Sequence, residues 1–187
     1  MEKLIGIFDE FPFLTDADKK AFSAKLESVS YEKGGLLEEA GKISYYLHYI
    51  KSGAARSFYV RENKDITVSF SLDGEFVTAM HSFITRKPSY ENIEVLEKSV
   101  VYRISYDQLQ SLFVDNPRIE RAYRMILEQY YIVLEEQSIF AKFKTARERY
   151  LELMEYRPKV IQKASVGNIA SYLDMSIETL SRIRARI

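Results

Sequence analysis

The chain contains no cysteine and no tryptophan, and only two of its 187 residues are histidine. The absence of cysteine excludes disulfide bonds, iron–sulfur clusters, thiol catalysis and cysteine-based zinc sites. The two histidines, His48 and His81, cannot form a metal site without help from carboxylates. His48 also lies in a strand-like run that favours a packed side chain. We therefore expect a protein without a metal centre.

The chain also lacks long apolar runs. No stretch of about eighteen apolar residues is present, and the N-terminus does not show the basic-then-apolar order of a signal peptide. Hydrophobic residues make up 47% of the chain and charged residues 29%, as in an ordinary globular protein of one large domain or two small ones. We therefore expect a cytoplasmic protein that does not associate with a membrane.

Net charge is zero, but the charges are unevenly distributed. Residues 141–187 contain ten Lys and Arg against five Asp and Glu, so this segment carries five excess positive charges. Residues 1–140 carry the matching negative excess. An acidic body with a basic C-terminal module is typical of a protein that presents only that module to a polyanion.

Residues 168–187 follow the pattern of a helix-turn-helix. Two short apolar-periodic stretches flank a turn in which Asp174 tolerates a left-handed backbone and Ser176 is a natural helix N-cap. Leu180 would anchor the second helix in the core, close to the small Ala170 of the first helix. On these residues alone, an ordinary helical hairpin with a basic tail stays an open alternative.

The second helix of this segment predicts a face for reading DNA. Its candidate base-contacting residues are Ile177, Glu178, Ser181, Arg182 and Ala185. Arg182 is suited to a bidentate contact with guanine, and Glu178 can accept a hydrogen bond from a cytosine amino group or orient Arg182. Ser165, Ser176 and Arg184 are expected to contact phosphates, which position the protein without reading sequence.

The body of the chain alternates strand-like runs with turns. A helical segment covering the first 28 residues, with Asp16 as its cap, precedes runs rich in Tyr, Phe, Val and Ile that continue to about Ser105. Their spacing predicts a β-sandwich or barrel. Residues 75–87 read as a short helix that interrupts the strands, and residues 157–164 as a connection to the helix-turn-helix.

A long helix is predicted from Pro117, a favourable first helical residue, to about Phe140. A heptad seam runs along it, formed by Ile119, Tyr123, Ile126, Tyr130, Val133, Gln137 and Phe140. A second apolar stripe contains Leu127, Tyr131 and Leu134. Two stripes indicate two partners: the heptad seam would contact the same helix of a second subunit, and the second stripe would contact the chain's own β-domain. The alternative is one wide stripe packed against one core.

Four stretches together resemble the Crp/Fnr superfamily of bacterial transcription regulators. They are Lys33-Gly34 with Leu37 and Ala40-Gly41, the hairpin at 49–59 with Gly53 and Arg56, the turn Asp73-Gly74-Glu75-Phe76, and the helix-turn-helix at 169–184. The resemblance covers essentially the whole chain. It implies an α+β fold: an antiparallel, jelly-roll-like β-roll with flanking helices (1–116), a dimerisation helix (117–140) and a helix-turn-helix domain (141–187).

The resemblance also implies a ligand pocket in the β-roll. Its candidate residues are Gly74, Glu75, Phe76, Arg86, Ser89 and Tyr90. Members that bind cyclic AMP clamp its phosphate with an arginine, and Ser89 falls at or within one residue of that position. Serine cannot supply the charge-assisted donor that an enclosed phosphate needs. We therefore expect no required cofactor, weak or absent binding of cyclic AMP, and either an unidentified small-molecule effector or none.

These features favour a homodimeric regulator that binds a pseudo-palindromic site in double-stranded DNA, with RNA polymerase as a further candidate partner. The alternative is a ligand-binding module that acts through protein contacts and keeps a vestigial helix-turn-helix. A cupin-like enzyme is rejected because His48 and His81 do not supply the metal-binding histidines of that class, and no nucleophile with a base is apparent.

Overall fold

A computed structural model of the chain describes residues 8–140 and 142–187, with the side chain of Phe140 left out of the description. The first seven residues of the predicted N-terminal helical segment therefore lie outside the described residues. The helices are α1 (Asp16–Ser23), α2 (Met80–Thr85), α3 (Tyr106–Asp115), α4 (Pro117–Phe140), α5 (Ala146–Tyr156), α6 (Pro158–Lys163), α7 (Val166–Tyr172) and α8 (Ile177–Arg184). Within the described ranges, no helix combines the length and apolarity needed to cross a membrane.

The strands form two four-stranded antiparallel sheets. They are β1 (Glu27–Tyr31), β2 (Leu36–Glu38), β3 (Tyr46–Ser52), β4 (Ala54–Arg61), β5 (Lys64–Leu72), β6 (Phe76–Val77), β7 (Asn92–Val95) and β8 (Ser99–Ser105). One sheet has the order β1-β8-β3-β6 and the other β2-β7-β4-β5. Side chains from both sheets form one apolar cluster, which includes Ile50, Ile93 and Val101, each fully buried. The predicted antiparallel β-roll with flanking helices is confirmed.

The hairpin between β4 and β5 follows from its two turn residues. Glu62 and Asn63 both have positive φ, at 51° and 59°, and Arg61 pairs with Lys64 across the turn. A two-residue turn of this handedness matches the right-handed twist of the strands that it joins. It therefore sets the register of β4 against β5, and with it the side chains that enter the roll.

Helices α1, α3 and α4 cover one side of the roll. Thr15, rather than Asp16 as predicted, is the N-cap of α1, and its hydroxyl accepts a hydrogen bond from the backbone N–H of Asp18 at 3.2 Å. The Asp18 carboxylate is buried and accepts hydrogen bonds from Arg118 of α4 at 2.7 and 3.1 Å. The Arg118 guanidinium lowers the pKa of Asp18 to about 2, so this tie between α1 and α4 persists into acid.

Three predicted elements differ from the observed ones. The helical segment predicted for the first 28 residues ends earlier, because Glu27 and Ser28 pair with β8 as part of strand β1. The segment 75–87 is divided, because Phe76 and Val77 pair with β3 as β6 and only Met80–Thr85 is helical. The predicted connection at 157–164 contains helix α6, which Pro158 begins at a position that needs no N–H donor. β6 forms because it pairs with β3, a strand distant in sequence. Helix α6 has only six residues, which are too few to show a helical periodicity in the sequence.

Gly53 joins β3 to β4 at a crowded point, and this generates a stability prediction. Its φ is +119°, and a Cβ there would overlap the Oγ and Cβ of the fully buried Ser99. Gly41 also has a left-handed φ, +85°, but a Cβ there would meet open space. We expect Gly41→Ala to lower the free energy of unfolding by about 1 kcal/mol and Gly53→Ala by at least about 3 kcal/mol. Urea unfolding of both variants measures the difference, and equal losses would contradict it.

Candidate functional site

The turn between α7 and α8 is a Schellman motif. The N–H of Met175 donates to the carbonyl of Ala170 at 3.0 Å, and the N–H of Asp174 donates to the carbonyl of Ser171 at 3.1 Å. Asp174 itself is left-handed, with a φ of 50°, as its position in the sequence predicts. These bonds satisfy the last carbonyls of α7 and set the angle at which α8 departs.

Helix α8 exposes the predicted recognition residues. Ser176 caps it by accepting from the N–H of Thr179 at 3.1 Å, as predicted. Exposed on its surface are Ile177, Glu178, Ser181 and Arg182. Hydrogen bonds from the backbone N–H of Glu178 and from the Ser176 hydroxyl lower the pKa of Glu178, which keeps its carboxylate charged. Arg182 donates to Thr179 Oγ1 at 3.2 Å, a bond within one turn of the helix.

Arg184, predicted to contact phosphate, has an intramolecular partner. Its Nε donates to the Tyr150 hydroxyl at 2.9 Å, and its guanidinium lies 5.5 Å from the centroid of the Tyr150 ring. This bond between α8 and α5 uses one of the five N–H donors of the guanidinium, so the predicted phosphate contact stays a prediction. The sequence alone did not show this bond because the two residues are far apart in the chain.

The helix-turn-helix is docked on the β-roll. Asn168 of α7 accepts from Arg56 Nη1 at 3.2 Å, and the Ser171 hydroxyl accepts from the backbone N–H of Thr67 at 2.9 Å. The ring of Tyr172 meets that of Phe70 edge-on, with centroids 5.2 Å apart. The apolar cluster at this contact contains residues from both sides, including Phe70, Leu72 and Leu96 from the roll and Ile169, Leu173 and Leu180 from the C-terminal helices.

Ion pairs extend the same contact. Arg157 Nη2 lies 2.7 Å from both carboxylate oxygens of Glu75, and Lys159 Nζ lies 3.0 Å from Asp73. Lys163 pairs with Glu97. The hydrogen bond from Lys159 lowers the pKa of Asp73. Part of the positive charge of the C-terminal segment is therefore neutralised by the roll, which makes the excess facing solvent smaller than composition alone indicates.

The seam predicted for dimerisation packs partly on its own chain. Ile119 is 3% exposed in the core beneath α3, so its assignment to a subunit contact is wrong. Tyr123 stacks near Phe113, with ring centroids 5.0 Å apart, and Ile126 packs on the same core. The side chain of Phe140 lies outside the described residues. The physical reason is that α1, α3 and roll residues of the same apolar cluster occupy that stripe on the first half of α4.

The second half of α4 carries an exposed apolar surface. Its large exposed side chains are Tyr130, Tyr131, Ile132, Val133, Leu134 and Ile139. Tyr131 and Leu134 are 66% and 61% exposed, so the stripe that was assigned to the chain's own β-domain is the more open one. Tyr130 also donates from its hydroxyl to the carbonyl of Phe76 at 3.0 Å, which ties this half of α4 to the roll.

A cavity of about 500 Å³ lies between the β-roll and α4. Its polar lining includes Ser57, Tyr59, Ser69, Ser71, Thr78, Glu91, Tyr123 and Tyr130, and its apolar lining includes Leu47, Val68, Phe76, Val77, Met80, Ile126, Leu127 and Leu134. The serines and Tyr59 come from alternate positions on β4 and β5, the periodicity of side chains on one face of a strand. That alternation was the signal in the sequence that could have identified them.

Of the residues predicted to form the pocket, Phe76 lines this cavity. Arg86 does not, which corrects its assignment: its Nη1 donates to the carbonyls of Ser44 and Phe83 at 2.6 and 3.0 Å. The guanidinium lies 4.4 Å from the centroid of the Tyr106 ring. Arg86 is the left-handed C-cap of α2, and this backbone geometry directs its side chain to the outer surface of that helix.

The other predicted pocket residues also have partners elsewhere. Gly74 forms the turn before β6 with a φ of +94°. Glu75 pairs with Arg157 and accepts from the N–H of Leu72, so its carboxylate turns toward the C-terminal helices. The buried Ser89 hydroxyl donates to the carbonyl of Glu91 at 2.9 Å, and Tyr90 is exposed beside His81. These four residues do not line the cavity.

Glu91 is the charged group of the cavity. Burial, together with the nearby charge of Glu38, raises the pKa of Glu91 to about 7. Glu38 itself is buried and lies 2.9 Å from Nε2 of the fully buried His48. Burial raises the pKa of the Tyr59 phenol, and the nearby charge of Glu91 raises it further. In the described part of the chain, no Lys or Arg lines the cavity. These residues do not fit a cyclic phosphate.

Comparison with protein families identifies the fold of the β-roll. The cyclic nucleotide-binding domain family matches residues 28–116. The fumarate and nitrate reduction regulatory protein of Vibrio cholerae is 25% identical over 167 residues, which cover 83% of this chain and 66% of that protein. The protein of the same name from Yersinia pestis gives the same values. The chain therefore spans just under two thirds of the length of these curated relatives.

Solved structures share the whole arrangement. The c-di-GMP responsive regulator CLP of Xanthomonas campestris superposes with a TM-score of 0.72 at 20% identity, over 92% of this chain and 91% of that chain. FixK2 of Bradyrhizobium japonicum gives a TM-score of 0.73 at 19% identity, over 86% and 83%. At these identities the likeness establishes a common fold of β-roll, long helix and C-terminal helices.

The raised pKa of Glu91 generates a prediction on stability. A carboxyl group with a pKa near 7 when folded and about 4.5 when unfolded makes the protein less stable as pH rises between those values. Glu91→Gln removes this penalty. It should raise the free energy of unfolding at about pH 8 by on the order of 1–3 kcal/mol and have little effect at about pH 4. Urea unfolding at both pH values, with the exposed Glu62→Gln as control, tests this; a gain independent of pH would contradict it.

Proposed function

This chain belongs to the Crp/Fnr superfamily, and from that premise we propose that it is a DNA-binding transcription regulator and not an enzyme. The observation that carries the proposal is the exposed face of α8, on which Glu178, Ser181 and Arg182 project from a helix capped by Ser176. Charged and hydroxyl side chains on such a helix are suited to base edges in the major groove. The Vibrio cholerae relative is named a regulatory protein, which supports this role.

The regulator acts as a homodimer held by the second half of α4. Exposed apolar side chains from Tyr130 to Ile139 form a surface that water contacts unfavourably, and a second copy of the same helix would cover it. A two-fold dimer also places two copies of α8 for a two-fold DNA site. Family membership favours this partner over an unrelated protein.

The cavity between the roll and α4 is proposed as the effector site. It lies beside the proposed dimer helix, and the adjacent turn at Glu75 is paired with Arg157 of the C-terminal helices. A ligand in the cavity can therefore change both the packing of α4 and the docking of the helix-turn-helix. No cofactor is required for the proposed activity, and a cytoplasmic location stays a prediction.

DNA binding can be tested by selection from a random duplex pool. Wild type should enrich a pseudo-palindrome with half-sites about one helical turn, roughly 34 Å, apart. Arg182→Ala should cost about 1–3 kcal/mol on that site and remove the preference at one base pair per half-site. The matched control is Arg186→Ala, an exposed arginine beyond the end of α8, which should weaken all sequences equally.

If wild type enriches no palindrome with or without candidate effectors, the DNA-binding proposal is wrong. The alternative, a module that acts through protein contacts, would then replace it. An equal loss of sequence preference in Arg182→Ala and Arg186→Ala would retain DNA binding but contradict the assignment of Arg182 as the base-reading residue.

Dimerisation has a separate test. Val133→Glu together with Leu134→Glu places two charges in the proposed subunit contact and should yield monomers, because burying unpaired charges is costly. The matched control is Val114→Glu on α3, where the apolar side chain is 82% exposed and distant from the proposed contact. Sedimentation at micromolar concentration should find dimers for wild type and for the control. A monomeric wild type would refute the proposal.

A further inference from the structure

We infer that the cavity between the β-roll and α4 takes an amphipathic organic cation, with an apolar body and one protonated amine that pairs with Glu91, instead of a cyclic nucleotide. This inference rests on the proposed function, because it names the class of effector for the proposed effector site. It depends on the charge, the polarity and the size of the cavity lining.

The charge of the lining favours a cation. Glu91 contributes a carboxylate to the wall, and among the described residues no side chain donates a hydrogen bond to it. Its acidic neighbour Glu38 is already bonded to His48. No Lys or Arg of the described residues lines the wall, so an anionic ligand would meet the carboxylate without a counter-charge. A protonated amine would supply the missing donor and the missing charge together.

The rest of the lining fits the two parts of such a ligand. Hydroxyl groups of Ser57, Ser69 and Ser71 provide acceptors for the other N–H bonds of an ammonium group. The rings of Tyr59 and Phe76 belong to the same lining, and aromatic faces attract cations. The aliphatic and aromatic side chains of α4 would contact the apolar body.

The cavity volume, about 500 Å³, is within the usual range for small organic ligands. A bare metal ion is a poor occupant, because the described residues include no cluster of three or more His, Asp or Glu that could hold one. A neutral ligand would leave the half-buried carboxylate without a counter-charge. Each of these comparisons favours an organic cation with one amine.

Two residues of the predicted ligand pocket, Ser89 and Glu75, are engaged in contacts outside the cavity. Ser89, which the resemblance places at or within one residue of the phosphate-clamping arginine, donates its hydroxyl to the carbonyl of Glu91. Glu75 is held by Arg157, outside the cavity wall. A cyclic nucleotide would therefore lose two polar contacts and gain repulsion from Glu91.

The test compares ligands that share one apolar body. The terminal amine, alcohol and carboxylate of a phenylbutyl chain, together with cyclic AMP, are titrated calorimetrically into the full chain at about pH 8, where Glu91 is ionised. The amine should bind at least about tenfold more tightly than the alcohol, because a charge-assisted hydrogen bond replaces a neutral one. The carboxylate and cyclic AMP should bind most weakly.

Two variants identify the responsible group. Glu91→Gln should abolish the preference for the amine over the alcohol, whereas Glu62→Gln, which removes an exposed carboxylate in the β4–β5 turn, should keep it. Glu91→Gln is expected to be at least as stable as wild type at this pH, and a thermal melt of the variant confirms that lost binding is not lost folding. Binding of the alcohol provides a second check on the integrity of the cavity.

The outcomes separate this inference from the proposed function. Tighter binding of the carboxylate or of cyclic AMP, an amine preference that survives Glu91→Gln, or no binding by any probe would each overturn the inference. Selection of DNA from a random pool without any probe tests the regulator role independently. A chain that selects a palindrome but rejects the amine would retain the proposed function and lose only the effector class.

Discussion

The arrangement of the molecule depends on the hydrogen bonds that the Arg56 guanidinium donates. Arg56 is 6% exposed and donates to Glu94 of β7, to Asp65 and Thr67 of β5, and to Asn168 of α7. A buried charge is tolerated only when such partners surround it, and removal of any one partner is costly. Arg56 therefore holds three neighbouring strands in register and fixes the first helix of the helix-turn-helix against the roll.

The turn that begins at Asp73 connects the three functional parts of the chain. Glu75 pairs with Arg157 of the C-terminal helices, and the carbonyl of Phe76 accepts a hydrogen bond from Tyr130 of α4. The Phe76 side chain lines the cavity. A change in the cavity can thus reach the proposed dimer helix and the proposed DNA-binding module within one or two contacts. This proximity gives the proposed effector a physical route to both.

Sequence reasoning was most successful where the signal is local. The left-handed Asp174, the cap at Ser176 and the start of α4 at Pro117 follow from backbone preferences of single residues, and each is confirmed. It failed where the contacts of a side chain depend on segments that are distant in sequence. Arg86 turns to the outside of α2, and Ile119 is buried in its own chain. The spacing of residues in the sequence shows which side chains share a face of a helix or strand. It does not show which segment covers that face.

By itself, the sequence determined the class of fold, the order of β-roll, long helix and helix-turn-helix, the exposed residues of α8, and the absence of an arginine where a phosphate clamp would be expected. The fold and the exposed residues follow from periodicity, capping and composition, which act over a few residues, and the missing arginine follows from the resemblance to the family. The tertiary structure alone decided that Glu91 lines the cavity, that Arg184 bonds to Tyr150, and that α1, α3 and the roll together bury one stripe on the first half of α4. The physical reason is that burial and electrostatic pairing depend on which distant segments meet, and local preferences do not specify that meeting.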